Sequence, residues 1–478
     1  MVSIASETED FPLVIDLDGT LVKTDLLYES YFSAASGALQ HHAAVARALL
    51  RGKAPLKAYL ARSGKVDYSL LPYDQSVLEL IARVRAEGRP VYLATASHRR
   101  HAEGIAAHLG LFDGVFASEE DTNLSGEAKA RRLIEAFGER GFDYAGNGVA
   151  DMAVWPAARK AYAIGASPGL ARKAERLGLE VEHLDRKTPA LRDWLTALRV
   201  HQYAKNLLVF VPLLTAHAFT APQLFRTVLA FLAFSLCASA VYILNDLIDL
   251  DADRQHPSKR LRPFASGAIP IAQGVIAIPL LLALGFGFAL YASFSVCFVL
   301  AAYLALTLAY SLRLKRKLLI DVVVLALLYT VRVVAGAAAL PVMVSEWLLA
   351  FSMFIFTALA LVKRYVELAL WIDKGLTGPS NRNYKMADLP IVGALAAASG
   401  FNAVTIFALY ISSPAVRDLY KHPERLWLIC PILLYWIGRT ILLANRRHLH
   451  DDPIVFALRD PVSRLAGLLM VAVVLIAM

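Results

Sequence analysis

The chain has 478 residues, of which 57% are hydrophobic and only 19% are charged, and its formal net charge is +9. This composition is too apolar for an ordinary soluble enzyme, and the apolar excess lies in the second half of the chain. The positive charge is better explained by membrane topology and phosphate binding than by nucleic-acid binding.

The first motif follows a short apolar run near the amino terminus. The run "FPLVIDLDGT" ends in two carboxylates one residue apart, Asp16 and Asp18, followed by Gly-Thr. Such a run is typical of a strand buried in a parallel sheet, and open α/β sheets bind ligands at the carboxyl ends of their strands. We therefore expect Asp16 and Asp18 at the ligand-binding edge of an α/β domain.

Three further motifs follow in chain order. "RPVYLATAS" is a second short strand that ends at Thr95, "NLSGEAKARRLIEAFG" supplies Lys129, and "FDYAGNGVADMAVWPAA" supplies Asn147 and Asp151. Phosphoryl transfer requires an in-line nucleophile, a metal ion, and cations around the three equatorial oxygens. Carboxylates, a hydroxyl and a lysine in these motifs therefore predict a phosphate-binding site.

Together, these motifs resemble the haloacid dehalogenase (HAD) superfamily of phosphotransferases over residues 10–185. The resemblance implies a Rossmann-like parallel sheet, with the helical insert near 25–75 as a small cap. It also implies Asp16 as the nucleophile that forms an aspartyl-phosphate, and Asp18 as the general acid/base. The implied phosphate ligands are Thr95 and Lys129, and the implied Mg²⁺ ligands are Asp16, Asp18 through its backbone, and Asp151.

One position departs from the family pattern. Asn147 stands where the metal motif often has an acid, so metal binding would depend mainly on the remaining Asp151. The alternative is a degenerate domain kept for folding or docking, but every residue that contacts phosphate in the motif set is present. We predict a HAD-like phosphatase domain over residues 1–187.

The rest of the chain is dominated by apolar runs. A short, partly amphipathic linker is predicted at 188–206, followed by a transmembrane domain over 207–478. Apolar runs of about fifteen to twenty residues or more can cross about 30 Å of hydrocarbon as helices. The prediction is an all-α bundle of nine transmembrane helices. The spans are predicted near 207–219, 228–245, 271–292, 295–311, 318–340, 346–366, 391–412, 426–444 and 465–478.

Lysine and arginine residues are concentrated in the connections that follow the second, fourth, sixth and eighth spans. The connections after the third and fifth spans contain none, and only the link after the seventh, with Arg417 and Lys421, departs from the pattern. Cytoplasmic loops retain basic residues, so these connections and the amino-terminal domain are predicted on the cytoplasmic side. We expect a multi-pass protein of a bacterial inner membrane, with both active sites on the cytoplasmic side.

The second predicted span ends in a dense group of charges, "NDLIDLDADRQHPSKRLRP". On a helix, Asn245, Asp249 and Asp253 would form one stripe with Asp246 beside it. A stripe of like charges is unfavourable unless cations occupy it, and hard oxygen ligands suit Mg²⁺ that carries a diphosphate. The alternative, a membrane-surface helix end with randomly placed acids, would not produce this stripe.

Asn245–Asp253 matches the pattern NDxxDxxxD, and residues 195–478 resemble the UbiA superfamily of intramembrane prenyltransferases. The resemblance implies that these acids bind Mg²⁺ and the diphosphate of a donor. Most members carry a second acidic motif after the sixth span, but here Lys363 and Arg364 stand in its place and Asp373 is alone. An acidic motif facing a basic one indicates two different phosphorylated substrates.

This charge pattern, with "KRYVEL", "AYSLRLKRK" and "YTVRVVAGA", resembles one branch of the superfamily. The branch comprises the 5-phosphoribosyl-1-diphosphate:polyprenyl-phosphate phosphoribosyltransferases, known from arabinan-building bacteria. It implies a lipid acceptor such as decaprenyl phosphate, whose phosphate attacks C1 of phosphoribosyl diphosphate (PRPP). Asp246 and Asp249 would be the catalytic acids that hold the leaving Mg-diphosphate. A phosphate monoester is already a dianion at neutral pH, so no general base is required.

Several basic residues are candidate substrate ligands, and each has an alternative explanation. Arg332 lies deep in the fifth span, where an unpaired charge would cost at least about 2.5 kcal/mol. It either faces a phosphate or pairs with Asp321 on the same helical stripe. Lys363 and Arg364 either bind phosphate or anchor the helix at the membrane surface. Lys259, Arg260 and Arg262 either bind the ribose 5-phosphate or anchor the segment at the membrane surface.

The predicted activities of the two halves of the chain fit one after the other. A polyprenyl phosphate that carries 5-phosphoribose still bears a 5-phosphate, which a HAD phosphatase would remove to give polyprenylphosphoryl ribose. The alternatives are an aromatic prenyltransferase that uses a prenyl diphosphate, and a HAD domain that is regulatory or acts on a separate phosphate ester. The oligomeric state stays open, including a homo-oligomer, and no role is predicted for Asp451, Asp452 or Asp460.

Overall fold

The computed structural model describes residues 11–35, 39–119, 122–176, 180–186, 188–342, 345–375, 383–449 and 452–478. By its internal contacts the chain forms two compact units. Unit 1 comprises Met1–Leu198 together with Tyr242–Ile278, and unit 2 comprises Arg199–Val241 together with Pro279–Met478. The domain limits at 187/188 and 206/207 stay predictions, and Asp451 lies outside the described residues.

The strands of unit 1 are β1 (Leu13–Ile15), β2 (Val91–His98), β3 (Gly114–Ser118), β4 (Asp143–Gly146), β5 (Lys160–Ile164) and β6 (Glu180–Leu184). They form one parallel sheet in the order β3-β2-β1-β4-β5-β6. Leu13 and Ile15 pack on one face of the sheet, whereas Val14 packs with Trp155 on the other. Both faces of β1 are covered, which is why this strand is apolar throughout. The parallel sheet confirms the α/β prediction.

Among the described residues up to 198, eight α-helices accompany the strands. The fourth of them is amphipathic: it buries Val77, Leu80, Ile81 and Val84 at helical spacing, and Asp74 caps its first turn. The first three helices lie in the insert predicted as a cap. The eight are α1 (Leu26–Ala35), α2 (Leu39–Arg51), α3 (Lys53–Ser63), α4 (Gln75–Ala86), α5 (Arg99–Leu109), α6 (Glu127–Phe137), α7 (Pro168–Glu175) and α8 (Leu191–Ala197).

The turn after β1 requires its glycine. Gly19 has a φ of +72°, a left-handed conformation that other residues adopt at a cost. A Cβ at this position would also lie 2.4 Å from Nδ2 of Asn147. The glycine of the Asp-Gly-Thr motif therefore allows the β1 turn and the β4 turn to approach each other at the edge of the sheet.

The remaining helices include the longest and most apolar ones of the chain's described part. They are α9 (Val211–Thr215), α10 (Ala221–Ile248), α11 (Leu250–Gln255), α12 (Ile271–Ala292), α13 (Phe294–Leu312), α14 (Ile320–Ala338), α15 (Glu346–Asp373), α16 (Leu389–Ile411), α17 (Pro414–Leu419), α18 (Ile429–Asn445), α19 (Pro453–Arg459) and α20 (Pro461–Ala477). Helix α14 is central to unit 2. Its Val324 and Leu328 pack in one cluster and its Tyr329 and Val333 in another, so polar residues on α14 are buried.

Seven helical segments in the described ranges are long and apolar enough to cross a membrane, and the α19–α20 pair, bent by 82°, would make an eighth. Nine spans were predicted, and the difference is the first, at 207–219. That stretch forms the end of a 3₁₀ helix, Val200–Phe210, followed by the short α9. Pro212 lies in the first turn of α9 and lacks an N–H, which disfavours a continuous α-helix through this region.

Candidate active sites

The first candidate site lies where the strands of unit 1 end. Asp16 and Asp18 follow β1, Thr95 is in β2, and Asp151 lies in a short 3₁₀ helix after β4. Strands β2 and β4 flank β1 in the sheet, so their carboxyl ends converge. Lys129 reaches the same place from α6. The structure thus brings together all the residues that the sequence predicted for the phosphatase site.

Lys129 holds two of these carboxylates together. Its Nζ donates to Oδ1 of Asp16 at 2.6 Å and lies 3.7 Å from Oδ1 of Asp151. The Tyr144 hydroxyl accepts from Lys129 at 3.0 Å and donates to Asp151 at 2.7 Å. Burial raises the pKa of Asp16 to about 7, against the attraction of the Lys129 ammonium. The group is buried and densely charged, as expected of a site that handles phosphate.

Asp18 is held in a different way. Its Oδ1 accepts from the Leu26 N–H at 2.8 Å, and its Oδ2 accepts from the Ser97 hydroxyl at 2.6 Å and the Thr95 hydroxyl at 3.3 Å. Neither Ser97 nor Tyr144 was predicted. Ser97 follows Thr95 by two residues, a spacing that puts both side chains on the same face of a strand, and this was the signal available in the sequence.

The second candidate site is the acidic segment of unit 1. Helix α10 ends at Ile248, and Asp249 is an exposed N-cap residue between α10 and α11. The predicted stripe is therefore interrupted. Asp246 and Asp253 are buried, and Nη1 of Arg262 donates to Asp246 at 3.1 Å and to Asp253 at 2.6 Å.

The basic residues predicted near this segment have different environments. Arg262 forms ion pairs with Asp246 and Asp253. Lys259 and Arg260, in contrast, are exposed in the 3₁₀ turn Lys259–Leu261. Arg254 was predicted only as one of the basic residues in the cytoplasmic connection after the second span, but it is buried. It donates to both carboxylate oxygens of Glu29 in α1 and to the carbonyl of Ala265.

Both acid sets fit Mg²⁺. In each, a cationic side chain bridges two carboxylates, Lys129 between Asp16 and Asp151 and Arg262 between Asp246 and Asp253. Within the described ranges, no three His, Cys, Asp or Glu side chains are arranged to hold a metal ion. Two carboxylates suffice for Mg²⁺, which usually keeps water and substrate phosphate oxygens as its other ligands.

The basic residues of unit 2 are also of two kinds. Arg364 is buried, with its Nε 2.7 Å from Oδ2 of Asp321, and it also pairs with Glu367. Its charge is therefore balanced inside the protein. Lys363, the preceding residue, contacts Asp452 at 3.0 Å.

Arg332 does not pair with Asp321, which was the structural alternative. Its Nε donates to Oδ1 of Asn206 at 2.7 Å, and its Nη2 donates to the Tyr303 hydroxyl at 3.1 Å. Asp321 instead receives the Arg364 contact and a hydrogen bond from Tyr384 at 2.8 Å.

A carboxylate–lysine site on a parallel sheet, combined with an acidic segment and apolar helices, defines the class: a membrane enzyme with a hydrolase-type domain. Comparison with protein families supports both parts. Residues 207–460 match the UbiA prenyltransferase family, and residues 13–155 match the haloacid dehalogenase-like hydrolases. The chain belongs to the UbiA prenyltransferase family, carries a HAD-like domain, and is a multi-pass membrane protein.

Individual relatives match different shares of the chain. The chain is 40% identical over 470 residues to the uncharacterized protein y4nM of Sinorhizobium fredii, covering 98% of this chain and 91% of that protein. It is 34% identical over 181 residues to the decaprenyl-phosphate phosphoribosyltransferase of Corynebacterium glutamicum, covering 37% of this chain and 54% of that protein. A UbiA homolog from Archaeoglobus fulgidus, solved with GPP and Mg²⁺, is 16% identical with a TM-score of 0.46, over 60% of this chain and 99% of that one.

Proposed function

We propose that the protein transfers 5-phosphoribose from PRPP to a polyprenyl phosphate and then removes the 5-phosphate. In the first step a phosphate oxygen of the lipid attacks C1 of the ribose, and the bond from C1 to the diphosphate breaks. In the second step a water molecule takes the phosphoryl group, giving inorganic phosphate and polyprenylphosphoryl ribose. The domain division at 1–187, 188–206 and 207–478 assigns the second step to the amino-terminal domain.

One observation carries the proposal. The phosphatase site and the acidic segment belong to the same compact unit, and the buried pair of Glu29 with Arg254 joins them. A phosphatase held beside a diphosphate-binding segment would act on the product formed there. That product retains one phosphate monoester, the 5-phosphate, which is the bond that a HAD-type site cleaves.

In the transferase step, the acidic segment would hold the leaving group. Asn245, Asp246, Asp249 and Asp253 would bind the diphosphate of PRPP together with Mg²⁺. When bound, Mg²⁺ would neutralise the charge that develops on the departing diphosphate. Arg262 would leave the acids as the metal enters, and its guanidinium could then join the other two basic residues of the loop. The ribose 5-phosphate would contact Lys259, Arg260 and Arg262.

Basic residues of unit 2 would bind the lipid acceptor. Arg332 and Lys363 would bind the phosphate of the lipid, and Arg364 would support them through its pairs with Asp321 and Glu367. The lipid phosphate needs no base, since it is a dianion at neutral pH. The protein would lie in a bacterial inner membrane with both sites on the cytoplasmic side.

In the phosphatase step, Asp16 would attack the 5-phosphate and Asp18 would protonate the leaving ribose oxygen. Lys129 and Thr95 would hold the phosphoryl oxygens, and Asp151 would hold Mg²⁺ with Asp16 and the backbone of Asp18. Asp18 would then deprotonate the water that cleaves the aspartyl-phosphate. The hydroxyls of Thr95 and Ser97 keep the Asp18 carboxylate oriented for both proton transfers.

The test uses purified full-length protein with PRPP, Mg²⁺ and a short polyprenyl phosphate, and identifies the lipid products by mass spectrometry. We expect the dephosphorylated lipid from the wild type, the phosphorylated lipid from Asp16→Asn, and no ribosylated lipid from Asp246→Asn. Asp67→Asn, which changes an exposed carboxylate of unit 1, is the control. Release of diphosphate from a prenyl diphosphate, without ribosyl transfer from PRPP, would contradict the proposal and favour an aromatic prenyltransferase.

A further inference from the structure

Unit 2 contains a partly buried group of three cations and one carboxylate. Lys205 and Lys363 both contact the same oxygen of Asp452, at 2.9 and 3.0 Å. The side chains of Lys205 and Asp452 are each 12% exposed, and that of Lys363 is 32% exposed. One carboxylate thus serves two ammonium groups.

The third cation, Arg332, has only neutral partners. Its contacts are Asn206, the carbonyl of Leu328 and the hydroxyl of Tyr303, and no carboxylate of the described residues lies within ion-pair distance. Its guanidinium lies 5.7 Å from the centre of the Tyr329 ring, and Lys205 Nζ lies 5.9 Å from the same ring. Arg332 and Lys205 therefore belong to one group, here called the cation cluster: Lys205, Arg332, Lys363 and Asp452.

The cation cluster carries a net charge of +2, because it contains three cations and one carboxylate. Two other basic residues of unit 2 are balanced: Arg364 faces Asp321 and Glu367, and Arg439 forms a two-point contact with Asp460. Uncompensated buried charge is costly, so the excess charge of the cation cluster calls for an anion.

The charge and the surroundings indicate which anion. A phosphate monoester carries up to two negative charges at neutral pH, which match the excess, whereas a diphosphate carries more. Lys363 and Asp452 also line a cavity of about 10 Å³, whose other walls are mainly apolar, with Leu325, Leu359 and Ile454 among them. This space is only large enough for a water molecule, so a lipid phosphate would have to displace these side chains. Apolar side chains beside the charges suit a phosphate attached to a hydrocarbon chain.

We propose that Lys205, Arg332 and Lys363 bind the monophosphate group of a lipid, and that Asp452 sets the site's selectivity for a monophosphate over a diphosphate. Asp452 holds the two lysines in place when no lipid is bound and lowers the charge of the site to that of one phosphate monoester. This inference rests on the proposed function, in which a lipid phosphate is the acceptor, and adds to it Lys205 and Asp452.

The test measures binding of farnesyl phosphate and farnesyl diphosphate to the full-length protein in detergent. EDTA is present, so that the acidic segment cannot bind diphosphate through Mg²⁺. We expect tighter binding of the monophosphate by the wild type. Lys205→Met and Lys363→Met should each weaken it about tenfold or more, the loss of one charged hydrogen bond. Arg439→Met, which removes a balanced cation of the same unit, should leave the dissociation constant unchanged.

Asp452→Asn is the decisive variant. It should raise the affinity for the diphosphate relative to the monophosphate, while Asp452→Glu should keep the wild-type preference. Thermal melting checks that each variant is folded. If Asp452→Asn does not fold, the preference of the wild type for the monophosphate and the weaker monophosphate binding of Lys363→Met decide the question. Equal affinity of the wild type for both lipids, or unchanged binding in both lysine variants, would overturn the proposal.

Activity separates this inference from the proposed function. If ribosyl transfer occurs but Lys205→Met leaves the KM for the lipid phosphate unchanged, the cation cluster is not the acceptor site and the function stands. If the binding pattern appears but PRPP gives no ribosylated lipid, the site stands and the function fails.

Discussion

Arg254 and Glu29 form a buried two-point ion pair inside unit 1, with N–O distances of 3.0 and 2.6 Å. Glu29 also accepts from the Thr24 hydroxyl at 2.6 Å, and the Thr24 carbonyl accepts from the Gly19 N–H. Gly19 follows the predicted acid/base Asp18. A continuous chain of contacts therefore runs from the phosphatase turn, through α1, to the segment that contains Asp253.

This pair should be important for stability. Glu29→Gln would leave the Arg254 guanidinium buried without a carboxylate, and breaking one partner of a buried pair costs about 3–5 kcal/mol. We expect a clearly lower melting temperature for the full-length protein and loss of both activities. The control is Glu182→Gln, which weakens surface contacts with Arg83 and Lys160 and should cost about 1 kcal/mol or less. Equal melting temperatures for the two variants would contradict a structural role for the pair.

Ser97 should matter for the phosphatase alone. Its hydroxyl donates to Asp18 at 2.6 Å, so Ser97→Ala removes a hydrogen bond to a charged group, worth about 1.5 kcal/mol or more. We expect about a tenfold lower rate of 5-phosphate removal, with ribosyl transfer unchanged. Ser69→Ala, on an exposed turn beside Asp67, is the matched control. Wild-type phosphatase rates in Ser97→Ala would mean that Asp18 is oriented by other contacts.

Arg262 should compete with Mg²⁺ for the acids. In Arg262→Gln, the buried Asp246 and Asp253 lose their cation, so the protein should be less stable in EDTA by about 1–3 kcal/mol. Added Mg²⁺ should restore more stability to this variant than to the wild type. The measurement is thermal melting of both proteins with and without Mg²⁺. A Mg²⁺ response that is the same in both would argue against metal binding at this acid pair.

His101 should make the stability of the HAD-like domain depend on pH. Its side chain is 4% exposed and hydrogen-bonds with Ser30 and Tyr68. Burial lowers the pKa of His101 from 6.5 to about 4. The unfolded chain therefore binds a proton first as the pH falls. Above pH 6.5, His101 does not lower the free energy of unfolding. Below that pH, the free energy of unfolding falls by about 1.4 kcal/mol per pH unit until the folded pKa near 4 is reached.

The check is to compare melting temperatures between pH 7 and pH 5. We expect His101→Gln to start lower at pH 7, because its neighbours Ser30 and Tyr68 lose their partner, and to fall less steeply than the wild type. His183→Gln, at an exposed contact with Glu175, should keep the wild-type slope. A parallel fall in the wild type and in His101→Gln would assign the acid sensitivity to other groups.

The phosphatase site could be predicted because its residues follow strands of one parallel sheet. The carboxyl ends of β1, β2 and β4 must meet once those strands pair, which brings Asp16 and Thr95 together, whereas Asp151 also depends on the 3₁₀ turn that follows β4. The apolar spans could be predicted for a similar reason, since hydrocarbon thickness fixes their length. The first span was the exception, because the stretch before Pro212 forms a 3₁₀ helix that packs against Gly336 of α14, and the apolar run alone does not show this contact.

The sequence alone determined the chemistry that is encoded locally: the two-carboxylate motif with its glycine turn, the acidic segment, and the basic residues that replace a second acidic motif. Only the tertiary structure decided which charges are balanced. Arg254 meets Glu29 across 225 residues, and Lys205 meets Asp452 across 247. Coulomb interactions depend on distance in space, and no periodicity of helix or strand relates residues so far apart in the chain. The balance of Arg364 and the excess charge beside Asp452 therefore became visible only once the helices were packed.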